Sequence, residues 1–397
     1  MEIRQGTDHS ILLLAVCLTC LGVVMVFSSS SIMAVRDYND SLYFLKRQGA
    51  FAIAGFAVMA LMMRVDLNLL RKAAWPFLGI CALLLAAVLI PGVGKKVGGA
   101  ARWIKLGGMT FQPAEFAKIG LVMFLAHSLA RKQDRVKSFR FGFLPYMLIL
   151  AVLLGLLLAQ PDMGSALTLA AVAAAMLLVA GTRLKYLASI GLLSLPFLYF
   201  MVMNVDYRRR RILAFLNPWE DPSNSGFQII QSWIAFGSGG AFGQGLGESK
   251  QKLFYLPEAH TDFIFSVIGE ELGFVGVIVI AAMFMLLIMR GMRTALNAPN
   301  EFGCLLAFGI TMLIGLQAFV NMAVAVGLVP VTGQTLPLVS MGGSSIFFTS
   351  MATGMILSVS WGSREMSGED NTGSTEGTEK GEGAAAVEDA GQAKQEK

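Results

Sequence analysis

The segment SILLLAVCLTCLGVVMVF, residues Ser10–Phe27, contains no charged residue and is long enough to cross a lipid bilayer as an α-helix. Similar segments recur along the 397-residue chain, which is 55% hydrophobic and only 14% charged. Soluble domains carry about a quarter charged residues. Because no clear small-residue cleavage site accompanies this segment, we expect a retained first span rather than a signal peptide. The composition indicates an integral membrane protein without a nucleic-acid partner.

Ten apolar blocks predict an all-α polytopic membrane protein with ten transmembrane helices, since lipid cannot satisfy exposed backbone groups. The predicted spans are 10–29, 48–63, 74–90, 114–130, 143–159, 164–181, 186–203, 263–289, 303–325 and 344–361. An even number of spans places both termini on one side. The basic connector Arg131–Arg140 indicates that this side is the cytoplasm. Residues 1–361 are expected to form the membrane domain, and the acidic tail 362–397 is expected to be disordered and cytoplasmic.

Three connectors on the extracytoplasmic side have an unusual content of Gly, Pro and large apolar residues. They are 91–111, 204–261, which joins the seventh and eighth spans, and 327–345. Arg102, Trp103 and Lys252 lie among glycines there, which suits close approach to an anionic lipid headgroup or a diphosphate. The run Arg208–Arg211 fits either such a role or the anchoring of an interfacial helix.

The glycine-rich run Gly237–Gly247 (GSGGAFGQGLG) resembles a phosphate loop only in its glycine content. It lacks the lysine pattern of a P-loop and lies in an extracytoplasmic connector rather than between a strand and a helix. We therefore expect these glycines to let the chain lie along the membrane face.

The stretch YLPEAHTDFIFSVIGEELG, Tyr255–Gly273, places polar groups at the mouth of the eighth span. Glu258, His260 and Asp262 come directly before its apolar part. The positive end of a helix dipole favours an ionised carboxylate, so Asp262 is expected to be negative at neutral pH. On physical grounds alone, Asp262 can be either a helix cap or a catalytic group.

Several ionisable residues fall within or beside the spans, where they normally face a partner or a cavity. Glu115 and Lys118 share one face of the fourth span, so they can form an ion pair, a functional site, or both. Glu270 and Glu271 lie about 12 Å deeper than Asp262, at 1.5 Å per residue. We expect these two carboxylates to pair with polar groups between helices rather than to contact a substrate.

Several stretches together resemble the SEDS family of membrane glycosyltransferases, which includes the RodA and FtsW groups. The matching stretches are Gly99–Ile104, Gln112–Lys118, Gln160–Gly164, Lys252–Phe265 and Gly327–Ser345. The resemblance extends over residues 10–361 in register with the ten spans. Phe27–Ser31 and Thr335–Leu338 are more similar to the division branch, the FtsW group. Met341 departs from the family pattern, which usually has tyrosine there, so a hydroxyl role is not expected at this position.

The resemblance implies polymerisation of lipid II into β-1,4 glycan strands, with Asp262 as the essential carboxylate. The residues expected to contact substrate are Arg102, Trp103, Glu115, Lys118, Lys252, Glu258, His260 and Ser344. A divalent cation, Mg²⁺ or Mn²⁺, at Asp262 remains open. The implied partners are a class B penicillin-binding protein, other membrane proteins of the division machinery and the lipid bilayer. The implied location is the bacterial cytoplasmic (inner) membrane at the division septum.

Three other functions remain open. Ten spans with intramembrane charges also suit a lipid II flippase or transporter, although here the charges gather at one membrane face rather than at the midplane. The chain can also be the elongation polymerase of the same family, or a non-catalytic scaffold for division enzymes. Polymer formation from lipid II would distinguish the enzyme from the flippase.

Overall fold

The computed structural model describes residues 8–97, 100–106, 109–132, 136–251 and 256–361, and in these ranges the chain is mostly helical. The helices are α1 His9–Tyr38, α2 Tyr43–Met63, α3 Leu67–Val88, α4 Pro113–Arg131, α5 Leu144–Ala159, α6 Met163–Val179, α7 Leu184–Met203, α8 Asp206–Leu216, α9 Phe227–Gly239, α10 Ile264–Leu296, α11 Glu301–Ala325 and α12 Gly343–Trp361. A π-helical turn, Phe139–Phe143, leads into α5, and a 3₁₀ turn, Pro218–Glu220, follows α8. The strands are β1 Gly94–Val97, β2 Ala100–Leu106 and β3 Met109–Phe111.

All ten predicted spans coincide with helices. Eight of these helices are long and apolar enough to cross a membrane within the described ranges: α1, α2, α3, α5 with its π turn, α7, α10, α11 and α12. The other two are α4, which has 19 residues, and α6, which has 17. Helix α4 carries Glu115 and Lys118, which reduce its hydropathy. The helices α8 and α9 belong to the long connector between α7 and α10. The remaining helices account for the predicted spans, which confirms the predicted polytopic architecture.

Helix α1 continues well beyond the predicted span and ends at Tyr38. The serines Ser28–Ser31 are polar, but they do not end the helix, because serine hydroxyls can bond to carbonyls of the preceding turn. The Ser30 hydroxyl donates to the Val26 carbonyl at 2.6 Å. The helix ends where Asn39 adopts a left-handed conformation with φ of 52°.

The centre of the bundle is formed by α4 and α11. Nearly every residue of α4 is buried, and α4 packs against α3, α6 and α11. Helix α11 also packs against α10. At the other extreme, α7 has no buried residue and contacts the bundle mainly through α6. The apolar surface of α7 is consistent with a helix that faces lipid on most sides.

The connector between α3 and α4 forms an antiparallel sheet of order β1-β2-β3, where the sequence interpretation had only a loop. Gly94 pairs with Ile104 in one ladder, and Ile104 pairs with Phe111 in the other. Arg102 and Ile104 lie on one face of β2, and Trp103 lies on the other, since successive side chains alternate. The sheet positions Arg102 at the end of the bundle.

Helix α10 is broken one-third of the way along its length. Gly273 has φ 68° and ψ −167°, a conformation that is essentially limited to glycine. The break leaves carbonyls without helical partners, and the connector after α9 supplies replacements. The backbone amides of Gln244 and Gly245 donate to the carbonyls of Glu270 and Glu271, at 2.9 and 3.1 Å. Two further bonds run in the opposite sense, from Phe274 and Val275 to this connector.

The glycine-rich run Gly237–Gly247 therefore lies against α10. A Cβ on Gly239 would lie 2.0 Å from the Gly269 carbonyl oxygen. A Cβ on Gly243 would lie 2.1 Å from the Glu271 carbonyl oxygen. Both distances are too short for any side chain, so the glycines are required for backbone-to-backbone contact.

Substitution of Gly273 by alanine is expected to lower the free energy of unfolding by roughly 1–3 kcal/mol, the usual cost of such a conformation in a residue with a Cβ. The added Cβ would also lie 2.3 Å from the Gly243 amide nitrogen. Unfolding in detergent measures the effect. Gly79→Ala in α3 is the matched control, because a Cβ there meets no atom within 4 Å. Equal stability of the two variants would contradict the strain assigned to the break.

Candidate functional site

Asp262 lies in the turn directly before α10 and does not cap the helix. The N-cap is Phe263, and no side chain bonds to the first turn of α10. The Asp262 carboxylate instead faces the connector between α11 and α12. Its Oδ2 lies 3.6 Å from the position that a Cβ on Gly333 would occupy. The carboxylate therefore lies beside the backbone of another loop and is not used as a helix cap.

The turn that carries Asp262 is fixed by hydrogen bonds from two other segments. The Asn321 amide on α11 donates to the Asp262 carbonyl at 2.8 Å and to the Gln334 carbonyl at 2.7 Å. The Ser340 hydroxyl donates to the Thr261 carbonyl at 2.6 Å. These bonds tie the start of α10 to the connector 326–342, so the position of the carboxylate is set by the backbone.

A cavity of about 150 Å³ borders the connector 326–342. Thr332, the neighbour of Gly333, forms part of its wall. Its lining residues are Arg102, Pro161, Met163, Gly164, Leu167, Val202, Tyr207, Arg208, Arg211, Ile212, Val329, Pro330, Val331 and Thr332. Arg102 comes from β2, and the other two arginines come from α8. Backbone carbonyls orient two of the guanidinium groups, since Arg102 donates to Pro161 and Arg211 donates to Val331. The cavity therefore combines fixed positive charge with an apolar wall.

The electrostatics of the site centre on Asp262. Burial and the negative charge of Glu258 raise the pKa of this carboxyl, whereas Arg211 and Arg102 lower it, and the resulting pKa is about 7. The helix dipole favours the ionised form of Asp262, as expected from the sequence, but loss of hydration opposes it, so this carboxyl titrates near neutral pH. A carboxyl that titrates near neutral pH is well matched to accept and release a proton.

Glu258 and His260 occupy the same turn as Asp262 but differ in their surroundings. Glu258 is exposed and accepts a hydrogen bond from the Thr261 hydroxyl at 2.8 Å. His260 is buried against the Phe44 ring, and burial lowers the pKa of its imidazole, which keeps it neutral near pH 7. The Met341 amide donates to the His260 carbonyl at 2.9 Å, so the backbone turn at Met341 persists without a tyrosine hydroxyl.

Three other candidate residues make structural contacts. Lys118 Nζ and Glu115 Oε1 form an ion pair of 2.7 Å, and the lysine side chain is only 1% exposed. The Ser344 hydroxyl accepts from the Gln112 amide and donates to the Thr110 carbonyl, both at 3.1 Å. Ser344 thus joins the start of α12 to the sheet and to α4.

The remaining residues selected from the sequence either do not line the cavity or belong to the part of the chain that the structure does not describe. Trp103 is half-buried and is paired with Lys95 across the sheet. Lys252 lies outside the described residues. Asp162 caps α6 by accepting from the Ser165 amide at 3.1 Å.

Glu270 and Glu271 are both buried and pair with polar groups, as the sequence predicted. The Ser28 hydroxyl of α1 donates to the Glu271 carboxylate at 2.6 Å. The Glu270 carboxylate accepts from the Lys250 backbone amide at 2.9 Å, and also from the hydroxyl of Ser249. The two carboxylates thus link the first part of α10 to α1 and to the long connector.

Sequence reasoning missed the contributions of Asn321 and Tyr207, and it left two roles open for Arg211, contact with a diphosphate or the anchoring of an interfacial helix. A signal for the first was present, because Gln317 and Asn321 are polar, lie four residues apart and share a face of the apolar helix α11. Tyr207 lies beneath the Arg211 guanidinium, 6.0 Å from its carbon. No local pattern could show that α8 folds back to bring these side chains to the Asp262 side of the bundle.

The fold and site together define a polytopic membrane protein with a titratable carboxylate near an arginine-lined cavity. A family model described as "Cell cycle protein", covering FtsW, RodA and SpoVE, matches residues 8–365. The chain belongs to this family. A relative from Geobacter metallireducens, called "Probable peptidoglycan glycosyltransferase FtsW", is 60% identical over 353 residues, which cover 89% of this chain and 94% of the relative.

Two solved structures share this fold. A chain from a peptidoglycan synthase complex that coordinates polymerisation and crosslinking is 34% identical, with a TM-score of 0.73, and the match covers 89% of this chain and 97% of that one. The rod shape determining protein RodA of Thermus thermophilus is 32% identical, with a TM-score of 0.67, and the match covers 89% and 96% of the two chains. The helical architecture of this chain is therefore that of the family.

Proposed function

We propose that this protein is a peptidoglycan glycosyltransferase that polymerises lipid II into β-1,4 glycan strands, with Asp262 as the general base. The observation that carries the proposal is a carboxyl with a pKa of about 7 in the electrostatic reach of Arg102 and Arg211. The names of the relatives support the same activity. Catalysis of sugar transfer from a lipid diphosphate requires both parts, a proton acceptor and fixed positive charge.

The chemical step follows from this arrangement. The acceptor 4-hydroxyl gives its proton to the Asp262 carboxylate while its oxygen attacks the anomeric carbon of the donor. The bond between that carbon and the diphosphate oxygen breaks, and undecaprenyl diphosphate leaves with the electron pair. Arg102 and Arg211 stabilise the negative charge that develops on the diphosphate. A single displacement on an α-linked donor inverts the configuration and yields the β linkage.

A divalent cation is a further part of the proposal. Asp262 and Glu258 interact electrostatically, and Mg²⁺ is often held by one or two carboxylates together with substrate phosphates. Among the residues that the structure describes, no group of three or more His, Cys, Asp and Glu side chains forms a metal site. Asp262 and Glu258 would hold Mg²⁺ or Mn²⁺, which would add positive charge beside the diphosphate.

The direct test uses the purified protein in liposomes with fluorescent lipid II, with and without a chelator. Glycan polymers of increasing length support the proposed enzyme. Transfer of lipid II between leaflets without polymer would identify a flippase instead. Because the structural relative belongs to a synthase complex, the assay is repeated with a class B penicillin-binding protein, which we propose as the partner.

We propose that the protein acts at the division septum of the cytoplasmic membrane, with both termini in the cytoplasm. The FtsW name of the 60% identical relative supports the division role. Depletion in the source bacterium tests this assignment, because filaments indicate a block in septal synthesis and round cells indicate a block in elongation. Tags at each terminus, scored for cytoplasmic accessibility, test the topology.

The pH dependence of polymerisation should reveal the charges around Asp262. The rate at low lipid II concentration is expected to rise with pH through about 7, because the carboxylate must be ionised to accept a proton. Glu258→Gln removes a charge that raises this pKa and should move the rise to lower pH. Arg211→Gln removes a charge that lowers it and should move the rise to higher pH.

Rates measured from about pH 5 to about pH 9 give the midpoint of the rise for each variant. Glu220→Gln, which changes an exposed carboxylate of the same connector, is the control and should leave the midpoint unchanged. Shifts of the same sign in Glu258→Gln and Arg211→Gln would rule out Asp262 as the titrating group.

A further inference from the structure

The three-stranded sheet between α3 and α4 has two chemically different faces. Residues paired directly across an antiparallel ladder lie on the same face, and successive residues of a strand alternate between faces. Ile104 and Phe111 are such a pair, and they form the inner face. Ile104 is buried, and the Phe111 ring lies against the rings of Phe116 on α4 and Phe348 on α12. The inner face therefore attaches the sheet to the bundle, and Arg102 lies on this side.

The outer face of the sheet carries cations around an aromatic ring. Trp103 of β2 pairs with Lys95 of β1, and Lys105 of β2 pairs with Thr110 of β3. Both lysines are exposed, and Trp103 is half-buried. Arg47 of α2 joins this face, because its guanidinium donates to the Thr110 hydroxyl at 3.4 Å. We call the side chains of Lys95, Trp103, Lys105 and Arg47 the outer patch.

The positive charge of the outer patch is not neutralised by neighbouring side chains. Among the residues that the structure describes, no carboxylate lies within ion-pair distance of its three cations. Asp40, which lies close to the start of α2, pairs instead with Lys46 at 2.8 Å. Three cations without an acidic partner create a local positive potential, which attracts an anionic ligand.

Helix α2 connects the outer patch to the turn before α10. The Phe44 ring of α2 lies 5.3 Å from the imidazole of His260 in that turn. Arg47 follows three residues later, on the same side of the helix. The next residue, Gln48, donates to the Ser340 carbonyl at 3.3 Å. The patch is therefore joined to the turn through α2, which does not line the arginine-lined cavity.

The chemistry of the outer patch indicates a glycan that carries anionic groups. The apolar face of a sugar ring can stack on an indole, and ammonium and guanidinium groups bind carboxylates. A glycan strand made from lipid II has both features, since each repeat carries a peptide that ends in a free carboxylate. Phospholipid headgroups would also bind the cations, but they offer no sugar ring to the indole and need no connection to the turn before α10.

We infer that the outer patch binds the glycan strand that the reaction extends, with a sugar ring on Trp103 and peptide carboxylates at the three cations. This inference rests on the proposed function, because the strand is the product of that reaction. It adds a second binding surface, distinct from the arginine-lined cavity, that recognises sugar and peptide rather than diphosphate. A strand that stays bound between additions remains near Asp262, so the patch favours long products.

The binding test uses a fluorescent, soluble glycan fragment with intact peptides and the full-length protein in nanodiscs. The fragment carries neither diphosphate nor lipid, so it lacks the groups that suit the arginine-lined cavity. Fluorescence anisotropy should show binding that weakens as salt is added, because the contacts are between exposed charges. A fragment stripped of its peptides should bind more weakly. Equal binding of the two fragments would overturn the inference.

Lys95→Gln combined with Lys105→Gln removes two exposed cations of the patch. We expect this double variant to raise Kd for the peptide-bearing fragment about tenfold, equivalent to about 1.4 kcal/mol. Lys46→Gln is the matched control, because it removes an exposed lysine of α2 that pairs with Asp40 rather than belonging to the patch. Trp103→Ala tests the stacking contact and should weaken the binding of both fragments.

In the polymerisation assay, the double lysine variant should make shorter strands, while its initial rate of lipid II consumption changes little. Unchanged fragment binding in a folded double lysine variant would overturn the inference. Labelling of the sheet by a phosphatidylglycerol with a diazirine in its headgroup, together with no binding of the fragment, would overturn it in favour of a lipid surface.

Fragment binding does not depend on turnover, so its result is separate from that of the proposed function. Fragment binding at the patch without polymerisation would refute the enzyme but retain the glycan surface. Polymerisation without fragment binding would do the reverse.

Discussion

Substitution of Asp262 by asparagine is expected to reduce glycan polymerisation by about 10²- to 10⁴-fold, the usual contribution of a general base. Asparagine has nearly the same shape but cannot accept the proton of the acceptor hydroxyl. The bonds that hold this turn reach the Asp262 carbonyl and the Thr261 carbonyl, not the carboxylate. The variant should therefore fold normally, with unchanged labelling by a lipid II photoprobe.

Initial rates of polymer formation in liposomes measure this effect, and thermal unfolding verifies the fold. Glu220→Gln is again the matched control, because it neutralises an exposed carboxylate of the long connector that does not line the cavity. Near wild-type activity of a folded Asp262→Asn protein would remove the basis of the proposed mechanism. Lost activity together with a lost fold would be resolved by Asp262→Glu, which retains the carboxylate.

The second large effect is expected for the buried ion pair of α4. Lys118→Met leaves the Glu115 carboxylate in the packed centre of the bundle without its partner at 2.7 Å. Loss of one member of a buried pair costs roughly 3–5 kcal/mol of unfolding free energy. Replacement of both residues, Glu115→Leu with Lys118→Met, should recover most of this loss, since apolar side chains fit the same space without a charge.

The Asp40–Lys46 pair provides the matched comparison. Its two atoms also lie 2.8 Å apart, but both side chains are substantially exposed, at 38% and 65%. Lys46→Met should therefore change the stability little, because solvent screens an exposed ion pair. Chemical denaturation in detergent measures all three variants. A double α4 variant that is less stable than Lys118→Met would contradict the structural role, and a stable but inactive one would show that the pair also serves the reaction.

Sequence patterns predicted the membrane fold well, because span length and hydrophobicity are local properties. The same holds for the pairing of Glu270 and Glu271, since a buried carboxylate requires a partner wherever the chain places it. The sheet 94–111 was missed because its strands are short and interrupted by glycine. The break at Gly273 was missed because it depends on a connector about 30 residues away along the sequence.

The candidate site was predictable only in part. Asp262 was selected from its place before a span and from a family resemblance, and its catalytic role remains a prediction. The effect of burial on the pKa of Asp262 was not predicted, because this burial depends on how the connector 326–342 closes over the turn. Two roles stayed open for Arg211 for a related reason, since nothing in its surrounding sequence shows that α8 returns to the end of the bundle.

The weak attachment of α7 has a practical consequence for biochemical work on this protein. A helix with no buried side chain relies on the surrounding bilayer for lateral support. Detergent micelles exert no such pressure, so solubilisation should let α7 drift away from α6. Kinetic constants measured in micelles would then describe an enzyme in which α7 no longer forms its part of the cavity wall. Nanodiscs or liposomes are therefore the preparations in which the specificity of the protein should be measured.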